Sequence, residues 1–223
     1  MMLKKQLIIF DWDGTLMDSE SRIVNCMQEA ITDLGLAARS RDQLKNVIGL
    51  GLKEALYTLY PDSDETALGR LVERYRHHFL YEDTTPSELF GGVADMLHAL
   101  NQAGYFLAIA TGKGRLGLDH ALASSQLGHL FHATRCADET RSKPHPQMLE
   151  ELIDYFGVEP NQSIMVGDTE FDLEMANNAN TQSVAVSYGV HSRDRLLNHA
   201  PLACVDDANQ LHSWLSTNIT YGT

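Results

Sequence analysis

From residue 88 onward, short apolar runs of strand length alternate with amphipathic stretches of helix length. The runs are YFLAIAT (Tyr105 to Thr111), HATRCA (His132 to Ala137), SIMVGD (Ser163 to Asp168) and SVAVSYG (Ser183 to Gly189). Between them lie GVADMLHALNQAG, GLDHALASSQLG, PHPQMLEELIDYFG and TEFDLEMANNAN, each with apolar residues near helical spacing and a glycine or asparagine near its end. Strands that alternate with helices predict a parallel sheet covered on both faces. LIIF (Leu7 to Phe10) supplies one more strand of that sheet.

Residues 17–87 follow a different period. SRIVNCMQEAITDLG, RDQLKNVIG, KEALYTLY and ETALGRLVERYRHHFLYE all carry helical spacing, with no convincing strand among them. The pattern therefore predicts an α/β core made of residues 1–16 and 88–223, interrupted by an all-helical insert at 17–87. Gly91 and Gly92, where the insert rejoins the core, serve equally well as a hinge or as turn residues. No period of 20 to 50 residues repeats.

Composition narrows the function classes. The chain has 223 residues, enough for one core and a smaller module, with 43% hydrophobic and 21% charged residues as in ordinary globular proteins. A net charge of −13 argues against nucleic acid or an anionic membrane as partner, because both require a basic face. The apolar run after Lys4 and Lys5 stops at Asp11, too short for a signal-peptide core, and no segment reaches the length of a membrane span. Cys26, Cys136 and Cys204 are isolated, which suits reduced thiols in a cytoplasmic protein. The glycosylation-like NIT at Asn218 is incidental without a secretion signal. Oligomeric state is not legible.

Three strands end on polar residues that a packed core does not require: Asp11 after LIIF, Thr111 after FLAIA and Asp168 after IMVG. In an open parallel sheet the carboxyl ends of the strands form the binding crevice, so these positions should converge. Asp168 and Asp172 stand four apart in GDTEFD and share a face if a helix opens there. Taken alone, that pair reads as an N-cap and a solvated charge, and Lys143 in SKPHP as an exposed lysine. Two carboxylates about 4 Å apart repel by roughly 4 kcal/mol at an effective dielectric near 20. Acids gathered at one rim with Asp11 and Asp13 therefore call for a cation. Oxygen ligands without a Cys or His cluster favour Mg²⁺, which also binds substrate phosphate.

DWDGTL, ATGK, SKP and GDTEFD, in this order, resemble the four motifs of the haloacid dehalogenase superfamily. The resemblance implies a Rossmann-like core and a phosphohydrolase that uses Mg²⁺. Asp11 would be the nucleophile and Asp13 the general acid/base, with its backbone carbonyl a further metal ligand. Thr111 would bind phosphoryl oxygens, and Lys143 would neutralise them. Asp168 would ligate the metal, with Asp172 a further acid that ligates it or orients Lys143. Many relatives carry Asn where this chain has Gly112, which leaves a backbone N–H and Lys113 to assist with phosphate. The helical insert takes the place of the family's small cap, which closes over the site and selects the substrate. IGLGLKEAL resembles the cap's specificity loop, so Lys53 and Arg22 are candidates for a substrate anion, or else ordinary surface charges.

The expected function is hydrolysis of a small phosphorylated metabolite, near the phosphoglycolate phosphatase branch. A phosphosugar mutase of the beta-phosphoglucomutase type is the alternative, weakened because such mutases carry Arg in the cap loop where this chain has Leu52. From other classes come a receiver-like phospho-accepting module and a binding-only relative, which would have no use for Asp11 and Asp13 together. His77, His78, His129 and His132 read as surface or satisfied residues, and the aromatics of VERYRHHFLY as packing within the insert.

Overall fold

The computed structural model describes residues 3–221. In chain order, β1 (Leu3–Lys5), β2 (Leu7–Phe10) and β3 (Met17–Asp18) are followed by four helices: α1 (Glu20–Asp33), α2 (Arg41–Lys45), α3 (Leu52–Leu59) and α4 (Glu65–His77). One π-helical turn (His78–Glu82) prolongs α4. Next come β4 (Glu88–Leu89), α5 (Val93–Gln102), β5 (Phe106–Thr111), α6 (Arg115–Ser125), β6 (Ala133–Cys136) and α7 (Gln147–Phe156). The chain continues with β7 (Ser163–Gly167), α8 (Glu170–Asn178), β8 (Gln182–Val186), α9 (Arg193–Leu197), β9 (Cys204–Val205), α10 (Ala208–Asn218) and β10 (Ile219–Tyr221).

The apolar runs pair as a six-stranded parallel sheet in the order β6-β5-β2-β7-β8-β9. Both faces are covered, which is why its strands read as near-continuous apolar runs. Ile8, Phe10, Leu107, Ile109, Ile164 and Val166 pack on one side with Met96, Leu97, Leu211 and Leu215 of α5 and α10. Leu7, Ile9, Ala108, Ala110 and Met165 face the other way, against Leu149, Leu152, Met175 and Ala176 of α7 and α8. The strand order reverses at β2, with β5 on one side and β7 on the other. A crevice forms at such a switch point, outside the carboxyl ends of the strands.

Between β3 and β4 the chain is helical, and it buries a separate apolar cluster that includes Val24, Met27, Leu44, Leu56, Leu68 and Leu71. Met17 pairs with Leu89 and Asp18 with Glu88 in a short antiparallel ribbon, so the two crossings brace each other. Two residues per strand are too few to show a period. RDQLKNVIG is helical only over α2, opened by a Ser40/Gln43 capping box, and its remainder is turn. No helix among the described residues is long and apolar enough to cross a membrane.

β1 and β10 form a parallel pair that the sequence pattern did not announce, since two of the three residues of β1 are lysines. One of these lysines is internal. Fully buried Lys5 donates to the carbonyls of Asn161 (2.7 Å) and Ser163 (2.9 Å) and to Gln182 Oε1 (2.7 Å), tying the segment between β1 and β2 to the starts of β7 and β8. Replacement by an apolar side chain leaves those acceptors without their donor. Lys5→Met is expected to destabilise the fold by about 1–3 kcal/mol in denaturant titration, without altering the distant rim.

Candidate active site

Asp11 follows β2 and extends its ladder, its N–H donating to Val166 O at 2.9 Å. Thr111 closes β5 and Asp168 follows β7, so three separate strands deliver three buried polar side chains to one rim. Lys143 reaches the same point from the loop between β6 and α7. Its Nζ lies 2.8 Å from Asp11 Oδ1 and 2.6 Å from Asp172 Oδ1, and all three side chains are 0–1% exposed.

The neighbouring backbone holds these acids in place. Asp172 sits in the first turn of α8, and its Oδ2 accepts from Thr169 N (3.0 Å) and Thr169 Oγ1 (2.7 Å) within a capping box. Both Asp172 oxygens are thus engaged, one by the helix N-terminus and one by Lys143. Asp168 accepts from Thr15 Oγ1 and Val190 N, each at 2.8 Å. Gly14 has a φ of +86°, and a Cβ there would stand 2.2 Å from Asp168 Oδ2. The GT of DWDGT therefore has a physical basis: glycine admits the Asp168 carboxylate, and Thr15 holds it.

Asp11, Asp168 and Asp172 each offer an oxygen within 4.8 Å of the others. Lys143 compensates one of these charges and leaves two. Burial, with the neighbouring carboxylates, pushes the Asp11 carboxyl up to about 7 despite Lys143, and pushes Asp168 well above the ordinary carboxylate range. For Lys143, burial acts to lower its pKa, but Asp11 and Asp172 outweigh it and hold the amine above the ordinary lysine value. Asp11 lies within ion-pair distance of Lys143, yet neither of its oxygens accepts an aligned hydrogen bond. An orphaned buried carboxylate in an all-oxygen cluster with two uncompensated charges fits a hard divalent cation.

The remaining candidates separate into those at the site and those away from it. Asp13 turns from the cluster, where Ser19 Oγ (2.6 Å) and Lys113 Nζ (3.0 and 2.8 Å) hold its carboxylate. Lys113 thus sits on Asp13, with its ammonium 4.5 Å from the Phe79 ring centroid. Arg22 is not brought to the site: its guanidinium donates to Phe79 O at 2.8 Å and Asp83 O at 3.3 Å, inside the insert. Lys53 reaches the rim of a cavity above Asp11, exposed and 4.0 Å from Glu65. That cavity, about 540 Å³, lies between sheet rim and insert, and Tyr75 and Phe79 line it. Those two aromatics are packing residues and cavity wall at once. Ser19 and Val190 lie outside the motifs and only their contacts reveal them, whereas Thr15 and Thr169 stand inside DWDGTL and GDTEFD without having been singled out.

Gly112 marks where the insert rests on the core. A Cβ there would stand 2.5 Å from both Gly49 O and Leu50 O, so an asparagine has no room. Around that notch, Gly51 N donates to Ser142 Oγ (2.7 Å) and Arg195 Nη1 to Asn46 Oδ1 (2.9 Å). The turn at 46–51 therefore lies directly on the rim, over the residues that gather around Asp11.

A parallel α/β sheet with a helical insert and acids at its switch point defines a class of hydrolases, and sequence comparison gives the family. Residues 8–186 match the haloacid dehalogenase-like hydrolase profile, and the chain belongs to that family. It is 33% identical over 212 residues to "Probable phosphatase IndB" of Dickeya dadantii, covering 93% of this chain and 92% of that protein. A phosphoglycolate phosphatase of Aliivibrio fischeri is 31% identical, with 95% of this chain and 96% of the relative covered. The solved structure of "a predicted phosphoglycolate phosphatase" from Haemophilus somnus superposes with a TM-score of 0.80 at 26% identity, covering 93% and 96% of the two chains.

Two expectations follow from this geometry. Gly112→Asn should push the 46–51 turn off the rim, read as at least tenfold faster amide exchange at Gly51 and loss of its protection by Ser142. The second concerns charge. A carboxyl raised from 3.8 to about 7 on folding contributes stability that is present below pH 4 and lost as pH rises through 7. A divalent cation held by Asp11 would take the place of that proton, so Mg²⁺ should raise Tm more at pH 8 than at pH 5. An equal or larger shift at pH 5 would contradict the assignment.

Proposed function

We propose that this protein is a Mg²⁺-dependent phosphatase that hydrolyses small phosphomonoesters through an aspartyl-phosphate. Residues 1–16 and 88–223 form the catalytic core and residues 17–87 the cap. The observation that carries the reading is the Asp11 carboxylate, buried and free of aligned hydrogen bonds, at the floor of the cavity beside the Lys143 ammonium. The names of the relatives support phosphoryl chemistry, and the cap encloses a space suited to a small metabolite.

Asp11, Asp168 and the Asp13 backbone would hold Mg²⁺, which supplies positive charge to the phosphoryl oxygens. The chain's own residues do the rest. Lys143 opposes the effect of burial on Asp11, favouring its ionised form, and adds positive charge beside the phosphoryl group, while Asp172 positions Lys143. Thr111 Oγ1 accepts from Lys113 N at 3.2 Å, which leaves its hydroxyl proton for a phosphoryl oxygen. An Asp11 oxygen forms the bond to phosphorus as the bond to the leaving oxygen breaks, and that oxygen takes a proton from the acid form of Asp13, which serves in this step only when protonated and released from Lys113. Water then bonds to phosphorus, its proton passes to Asp13, and the Asp11–phosphorus bond breaks to release inorganic phosphate. Leu52 lines the cavity where a phosphosugar mutase would carry Arg, which favours water as the acceptor.

Phosphate release from an aryl phosphate, with Mg²⁺ and with chelator, tests this reading. Asp11→Asn should abolish turnover, and Asp13→Asn should lower kcat by about 10²–10⁴-fold. A folded wild type that releases no phosphate in Mg²⁺ would count against the proposal.

A further inference from the structure

Above its polar floor, the cavity over Asp11 is walled by the insert with Met27, Val47, Leu52, Val72, Tyr75 and Phe79. The Tyr75 and Phe79 rings, 5.8 Å apart and inclined by 30°, form an aromatic wall. On the core side, Leu116 of α6 lines the mouth while remaining 70% exposed, an apolar side chain left in water beside an opening. At about 540 Å³ the space lies within the roughly 300–1,000 Å³ that encloses drug-sized ligands. A phosphoryl group with a two-carbon leaving group would leave most of it unfilled.

Each cation of the described lining has an acid within 4.0 Å. Lys113 pairs with Asp13 (2.8 Å), Arg76 with Asp138 (4.0 Å) and Lys53 with Glu65 (4.0 Å), while Glu54 adds a further acid. Arg22, the remaining cap candidate, is held by Phe79 O and Asp83. A second anion on the substrate would lose its water, meet apolar walls and face acids at the rim. Such a wall rewards apolar surface instead, at about 25 cal/mol per Å² removed from water.

We infer that the substrate's leaving group is an uncharged, predominantly apolar alcohol or phenol, carrying an alkyl chain or aromatic ring that packs on Val72, Tyr75 and Phe79. This rests on the phosphatase reading for the reaction, while the cavity's preference can be measured without it. Non-hydrolysable phosphonates, titrated calorimetrically into the protein with Mg²⁺, report the cavity alone. From methyl- to hexylphosphonate, affinity should rise about threefold to fourfold per methylene. 3-Phenylpropylphosphonate should bind at least 100-fold more tightly than phosphonoacetate. Val72→Asp should flatten the series; if that variant does not fold, Leu116→Lys, at an already exposed position, should weaken the longest member most. Flat affinity across the series, or phosphonoacetate as the tightest ligand, overturns the inference. So does loss of phosphonoacetate binding in Lys53→Ala with no change for hexylphosphonate, if phosphonoacetate binds more tightly in wild type. Turnover of the matching alkyl phosphates separates the two claims. A rising series with no phosphate released refutes the reaction and leaves the cavity's preference standing, whereas phosphate release with a flat series does the reverse.

Discussion

The Lys143 ammonium, buried between Asp11 and Asp172, is the interaction on which the rim depends. Without it, three carboxylates would stand together out of water, an arrangement whose desolvation no short-range packing offsets. With it, the cluster remains two positive charges short, and that deficit suits a divalent cation. The arrangement binds distant parts of the chain together: Lys143 from a loop, Asp11 from the central strand and Asp172 from a helix whose own N-terminus it caps. Secondary structure and electrostatics meet in Asp172, because the oxygen that satisfies Thr169 fixes the other oxygen on Lys143.

Glycine plays a comparable part where the backbone must approach closely. Gly14 makes room for the Asp168 carboxylate, and Gly112 makes room for the turn of the insert. Side chains at either place would separate surfaces whose contact defines the site. The helical insert thus comes down onto the core over a small polar seam, with Gly51 on Ser142 and Asn46 on Arg195, and keeps an apolar hollow beside it. The floor of that hollow is polar because strands end there. Its walls are apolar because the side chains that line it, Met27, Val47 and Phe79 among them, also belong to the insert's own core.

Much of the fold was legible because its signals are local. Continuous apolar runs marked β2, β5 and β7, and helical spacing marked α5, α7 and α8, so the doubly covered parallel sheet followed. β1, β3, β4 and β10 were not legible, since strands of two or three residues carry no period and the lysines of β1 counterfeit a surface segment. Lys5 shows the limit: its burial depends on acceptors some 156 to 177 residues away.

By itself, the sequence determined the residue types and the order in which strands deliver them, which was sufficient to bring Asp11, Thr111, Lys143, Asp168 and Asp172 into one account. Only the tertiary structure decided where the charges go. It engaged both Asp172 oxygens, placed Lys113 on Asp13, withdrew Arg22 into the insert, and turned Tyr75 and Phe79 toward the cavity. The physical reason is that a charge takes whichever partner lies within a few ångströms, and those distances are set by the packing of two bodies that the linear chain holds apart.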